Sequence, residues 1–244
     1  MITREMSMCQ AIIENMQLLP LFPRFNMKTG FGEMSVAEVC NAHQVNIDFF
    51  MEIANAYLDE AYIPQEGLAL FSLETVVEYL TSTHTYYVEI ALPSVEDNIL
   101  KMLDHSSLSP KELNLVTAFF NDYKKDFMLH ISKEEEYVLP YILELEKQSA
   151  LENPDPAFIE KLQRYTIREF EQEHDSLETS LEHLSQLIIK FLPPFNDFQV
   201  CHQVLSGLSD LVNDLADHAN MEDKILIPRV AELERQLLDR HKTK

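Results

Sequence analysis

Along four long stretches of this chain, apolar side chains recur every three or four positions, the spacing that gives a helix one buried face. In the first stretch the pattern is Leu73, Val77, Leu80, His84, Tyr87 and Ala91. In the second it is Val116, Phe120, Tyr123, Phe127, His130, Glu134, Val138 and Tyr141. The third carries Ile167, Phe170, His174, Leu177, Leu181, Leu184 and Ile188, and the fourth Leu208, Leu211, Leu215, His218, Glu222 and Ile225. These patterns predict helices over 72–104 (with Pro93 inside), 110–148, 155–191 and 196–238. Ser109 is placed to cap the second, with Pro110 at its first position. Short polar or proline-rich connections make the expected fold an all-α, up-down-up-down four-helix bundle over residues 68–240.

Residues 1–62 read as a separate small helical domain. A helix is expected from about Arg4 to Leu19, stopped by Pro20 and Pro23, and a turn carries Gly30 and Gly32. Ser35-Val-Ala-Glu38 has the form of a capping box opening a short helix to about Ala42. Asn46 can cap another helix through Leu58. Pro64-Gln-Glu-Gly67 is the expected linker.

Each long helix thus carries a histidine within its apolar stripe: His84, His130, His174 and His218, spaced by 46, 44 and 44 residues. Two of them have a glutamate one turn on, in His130-Ile-Ser-Lys-Glu134 and His218-Ala-Asn-Met-Glu222. Residues four apart share a helix face, so each pair can aim an imidazole and a carboxylate at one point. The two motifs repeat 88 residues apart, and the match extends through Pro140/Pro228, Glu144/Glu232, Leu145/Leu233, Glu146/Glu234 and Gln148/Gln236. Burying four imidazoles and two carboxylates is costly without compensation, which metal coordination supplies. A ligand set of nitrogen and oxygen without thiolate favours six-coordinate first-row metals over a closed zinc site. Two iron ions are expected, with manganese as the alternative. A metal-free buried polar network is the bland reading of the same residues.

Composition sharpens the picture. Only 4 glycines and 25% charged residues suit a helical chain. A net charge of -22 argues against nucleic acid or an anionic membrane as partner. Cys9, Cys40 and Cys201 form no CxxC or disulfide framework, and Cys40 reads as core. The start, Met1-Ile-Thr-Arg-Glu-Met, has no apolar signal core, and no run of 18 apolar residues occurs, so a cytoplasmic location is expected. His43, His105, His183, His202 and His241 fall off the metal-facing stripes or at element ends.

The stretch from His130 to Ile142, the trio Glu173-His174-Asp175, the stretch from His218 to Pro228 and the His84 region together resemble the hemerythrin-like superfamily of di-iron four-helix bundles. This implies His84, His130, His174 and His218 as metal ligands, with Glu134 and Glu222 bridging. Oxygen carriers of that superfamily have a further histidine where this chain has Glu178, and an aspartate at the place of Asp223. The pattern of four histidines and two glutamates is more similar to the iron–sulfur cluster repair di-iron proteins. Phe22 to Gly32, followed by Met34 to Cys40, resembles their N-terminal domain, except that Gly30-Phe31 stands where that domain has a Cys-Cys pair.

The resemblance implies protection or repair under nitrosative and oxidative stress. The route would be chemistry on nitric oxide, peroxide or oxygen at the di-iron centre, or iron donation. Implied partners are a small diatomic or peroxide ligand and iron–sulfur proteins. Whether the centre turns over as an enzyme or only binds stays open. A non-enzymatic oxygen or iron sensor or store is the alternative, and a homodimer is a further option.

Overall fold

The computed structural model describes residues 1–59, 71–104, 108–168, 177–192 and 197–242. It is all-α, and every regular element among the described residues is helical. Its contacts divide the chain into two units, Met1–Tyr86 and Tyr87–Lys244. The expected linker at Pro64–Gly67 lies outside the described residues.

In the first unit, α1 (Met8–Glu14), α2 (Leu21–Arg24), α3 (Val36–Ala42), α4 (Ile47–Leu58) and α5 (Leu73–Tyr86) surround an aromatic core. The helix expected over 4–19 is shorter, because the backbone leaves helical geometry at Asn15 before one 3₁₀ turn, Met16–Leu18. The expected caps form. Ser35 Oγ accepts from the Glu38 amide while the Glu38 carboxylate accepts from Ser35 N–H, and Asn46 Oδ1 accepts from the Asp48 and Phe49 amides. Phe25 packs edge-on against Phe49 and Phe50 and tilted against Tyr79. Arg24 is buried in this core, its guanidinium 5.4 Å from the ring centre of Tyr57 and 4.7 Å from that of Tyr86. Such stacking suits a delocalised, weakly hydrated guanidinium.

The second unit contains the helices of a bundle. Tyr87–Ala91 forms a π-helical turn leading into α6 (Leu92–Asp104). α7 (Pro110–Lys133) runs through a π turn, Glu134–Val138, into α8 (Leu139–Ala150). After α9 (Pro156–Leu162) and α10 (Leu177–Phe191), α11 (Phe198–Met221) runs through a third π turn, Glu222–Leu226, into α12 (Ile227–Lys242). α6 packs on α7, α7 on α10, α10 on α11 and α11 back on α6, while α8 packs on α12. This closed order of chain neighbours is that of an up-down-up-down bundle.

The π turns share a cause. Each is followed by a proline at the second residue beyond it: Pro93, Pro140 and Pro228. A proline has no N–H, and its ring clashes with the carbonyl four residues back in a regular α-helix. Widening the preceding turn moves that carbonyl aside and lets the helix continue. In the second and third turns, Leu139 N–H accordingly donates to Glu134 C=O and Ile227 N–H to Glu222 C=O, five residues back. One consequence is a one-residue shift of the buried stripe. Leu80, His84 and Tyr87 are buried, but the next buried position is Leu92 rather than Ala91.

The helix expected over 155–191 is interrupted. Asp155 caps it as a helix start, but α9 ends at Leu162 and the chain turns before Ile167. Ile167 N–H donates at 2.8 Å to the buried carboxylate of Glu234, which thereby replaces the carbonyl a continuing helix would offer.

Ser109 caps α7 as expected, and the Glu112 side chain completes a capping box with it. Ser109→Ala removes one acceptor from the start of a long helix and should lower stability by about 1 kcal/mol, measured by chemical denaturation. Cys40 has no exposed surface, and burial pushes its thiol up to about 11. The neutral thiol is favoured in the folded chain, so its contribution holds at neutral pH and is lost as pH rises from the ordinary thiol value towards 11. An aromatic disulfide reagent at mildly alkaline pH should therefore modify exposed Cys9 first, half-buried Cys201 more slowly, and Cys40 only on unfolding. Mass spectrometry of the labelled chain checks the order.

Candidate metal centre

The two His-x-x-x-Glu motifs fold as their spacing demands. Each histidine lies in the last turn of an α-helix, and each glutamate is the first residue of the π turn that follows. His130 Nε2 is 3.1 Å from Glu134 Oε1, and His218 Nε2 is 3.3 Å from Glu222 Oε1. Glu134 is 1% exposed and Glu222 3%. Within the second unit, Glu134, His218 and Glu222 each offer one ligand atom within 4.8 Å of the others.

That closeness decides what the group can hold. Two carboxylates taken out of water repel each other strongly in a low-dielectric interior. A divalent cation between them turns this repulsion into attraction. Carboxylate oxygen with imidazole nitrogen, and no thiolate, is a donor set for first-row metals such as iron or manganese. The residues present therefore fit a metal centre.

The other expected ligands stand as follows. His130 is half-buried and reaches the centre's edge through Glu134. His84 is buried on α5 in the first unit, two residues before the boundary between the units. His174 lies outside the described residues, as does the side chain of Glu178. Asp223 is exposed while Glu222 beside it is buried, so the carboxylate four residues after the histidine is the one turned inward. His183, His202 and His241 are exposed, and His43 bonds locally through Nδ1 to the Val39 carbonyl.

Tyr87 carries more than its place in an apolar stripe suggests. Its ring is fully buried and meets the His218 ring edge-on at 5.6 Å and Phe127 at 5.9 Å. Its hydroxyl donates to the Asp214 carbonyl, one turn before His218, at 3.1 Å. This clamp fixes both the backbone and the ring plane of His218, which orients a candidate ligand without touching a metal. Position alone gives only its nearness to His84 as a signal. Asp214, itself buried, also escaped the face pattern.

Gly30 and Phe31, which stand where the resembled N-terminal domain has a Cys-Cys pair, are used otherwise. Gly30 has φ +103°, a conformation that a side chain would strain, and the ring of Phe31 packs 5.2 Å from that of Phe22. Turn and core take the place of thiol chemistry there.

Comparisons with known proteins agree with this geometry. The model of the hemerythrin HHE cation binding domain matches residues 75–230. Iron-sulfur cluster repair proteins YtfE of Salmonella choleraesuis, Salmonella paratyphi B and Salmonella newport are each 21% identical over 198 residues, covering 81% of this chain and 83% of theirs. No helix among the described residues is long and apolar enough to cross a membrane. With the matched region covering well over half of the sequence and containing both His-x-x-x-Glu motifs, the chain belongs to the hemerythrin HHE cation binding domain family.

Proposed function

We propose that this protein holds a di-iron centre and acts in iron–sulfur cluster repair and in protection from nitrosative and oxidative stress. The observation that carries the reading is the buried group of Glu134, His218 and Glu222 at the π turns. The likeness to proteins named for cluster repair supports the role. The ligand set of the proposal is His84, His130, His174 and His218 with Glu134 and Glu222 as carboxylates, and manganese is the substitute metal. When bound, the metal pair supplies electrons and an open position for nitric oxide, peroxide or oxygen, or supplies iron to a damaged cluster.

The chain's own residues do the rest. The two carboxylates neutralise metal charge inside an apolar interior. The imidazoles bind only when neutral, so metal affinity falls at acid pH. Tyr87 holds the His218 ring in place, and Phe127 packs edge-on against the Tyr87 ring.

Purified protein reconstituted anaerobically with ferrous iron should bind close to two ions per chain. The double variant His130→Ala/His218→Ala should hold almost none, read by metal analysis. Wild-type protein with less than roughly 0.2 iron per chain after reconstitution would sink the proposal. Tyr87→Phe keeps the ring but loses the bond to Asp214, so it should retain iron with roughly tenfold weaker affinity. Catalysis and binding separate on anaerobic assay with a reductant. Many equivalents of nitric oxide or peroxide consumed per centre indicate turnover, and one reversible equivalent indicates a sensor or store.

A further inference from the structure

Beside the π turn Glu134–Val138 and the start of α8 lies a cavity of about 450 Å³. Its walls come from that turn, α8, α9 and the segment leading to Ile167. The size is within the range of small-molecule sites. It is separate in its lining from the buried ligand group: Glu136, Tyr137 and Val138 contribute to it, but Glu134 does not.

Four aromatic side chains shape it. Tyr141 and Phe158 are buried and stacked at 6.1 Å between ring centres, forming a flat inner wall. Tyr137 is 70% exposed and Tyr165 42% exposed, both at the mouth. Large rings left in water forgo burial energy that a flat ligand would recover. The inner wall is rigid, because the Tyr141 hydroxyl donates to Glu234, which also accepts from the Ile167 amide.

The charge that stands over the inner wall is positive. Glu144 is engaged by Gln148 Nε2 at 2.6 Å and Lys147 Nζ at 3.5 Å, and the first of these bonds holds its carboxyl below the usual range. The Glu136 carboxylate accepts from Ser132 Oγ at 2.9 Å. Lys161, by contrast, makes no ion pair among the described residues, although the chain carries a net charge of -22. Its ammonium stands 5.9 Å from the centre of the Tyr141 ring, over the inner wall. A cation poised above an aromatic surface is positioned for an anionic group on a stacked ring.

We infer that this cavity is a binding site for a planar aromatic molecule of roughly two or three fused rings carrying one negative charge, stacked between Tyr137 and Tyr165 at the mouth and Tyr141 within, with its anion on Lys161. The site does not depend on metal, so its test is independent of the proposed function. Isothermal titration of the full-length protein uses three probes: naphthalene-2-carboxylate, the neutral amide of the same ring, and naphthalen-2-ylmethylammonium. The carboxylate should bind saturably and at least about tenfold more tightly than the cation. Lys161→Gln should weaken the carboxylate about tenfold and leave the amide unchanged, while Tyr137→Ser should weaken both. Both replaced side chains are exposed, so the fold is retained. No saturable binding up to millimolar carboxylate, equal or tighter binding of the cation, or carboxylate binding indifferent to both substitutions would each overturn the assignment.

Discussion

Two carboxylates, Glu134 and Glu222, are almost completely withdrawn from water on helices whose buried neighbours are apolar, and the architecture of the second unit follows from accommodating them. Taken alone, each would prefer to reach solvent. Held close together, they repel. A cation held between them, with imidazoles beside it, makes their burial tolerable. The i, i+4 histidines are the local answer, with Nε2 to carboxylate distances of 3.1 and 3.3 Å. The clamp of Tyr87 on His218 is the tertiary one.

The π turns join this constraint to the helix path. Both glutamates are the first residues of wide turns, and both turns precede prolines. A wide turn inserts one residue into the helical repeat, so the apolar stripe before the glutamate and the stripe after it both face inward although they are out of phase for a regular α-helix. The first helix has the same device at Tyr87–Ala91, ahead of Pro93. Prolines that would break a regular helix thus mark where the helix changes phase without ending.

Much of this was readable from residue order. The helical class, the capping box at Ser35, the cap at Ser109 and the i, i+4 pairs His130/Glu134 and His218/Glu222 are local patterns, and local patterns survive folding. The phase shift at the π turns was not readable, because a period of 3.6 residues blurs a single insertion over one or two turns. The break before Ile167 was not readable either. Its cause is Glu234, 67 residues further along the chain, taking an amide that helix continuation would have used. The role of Tyr87 was hidden for the same kind of reason: burial and ring contact are set by Phe127 and His218 on other helices.

The two repeats share a scaffold but not every use of it. Glu144 and Glu232 do the same work, each accepting from the glutamine four residues on, at 2.6 and 2.8 Å. Glu146 and Glu234 have parted. Glu146 is half-buried and favours the charge of Arg229, whose burial opposes it. Glu234 is buried and receives the Tyr141 hydroxyl and the Ile167 amide. The difference arises from α9, which lays Phe158 on Tyr141 and carries the chain on to Ile167 against α12. The aromatic cavity is made by the same segment, from Phe158, Lys161 and Tyr165 against the helix of the first repeat. The segment that follows the first repeat therefore gives that half of a near-symmetric pair a second concave surface, while each histidine stands close to its glutamate in both.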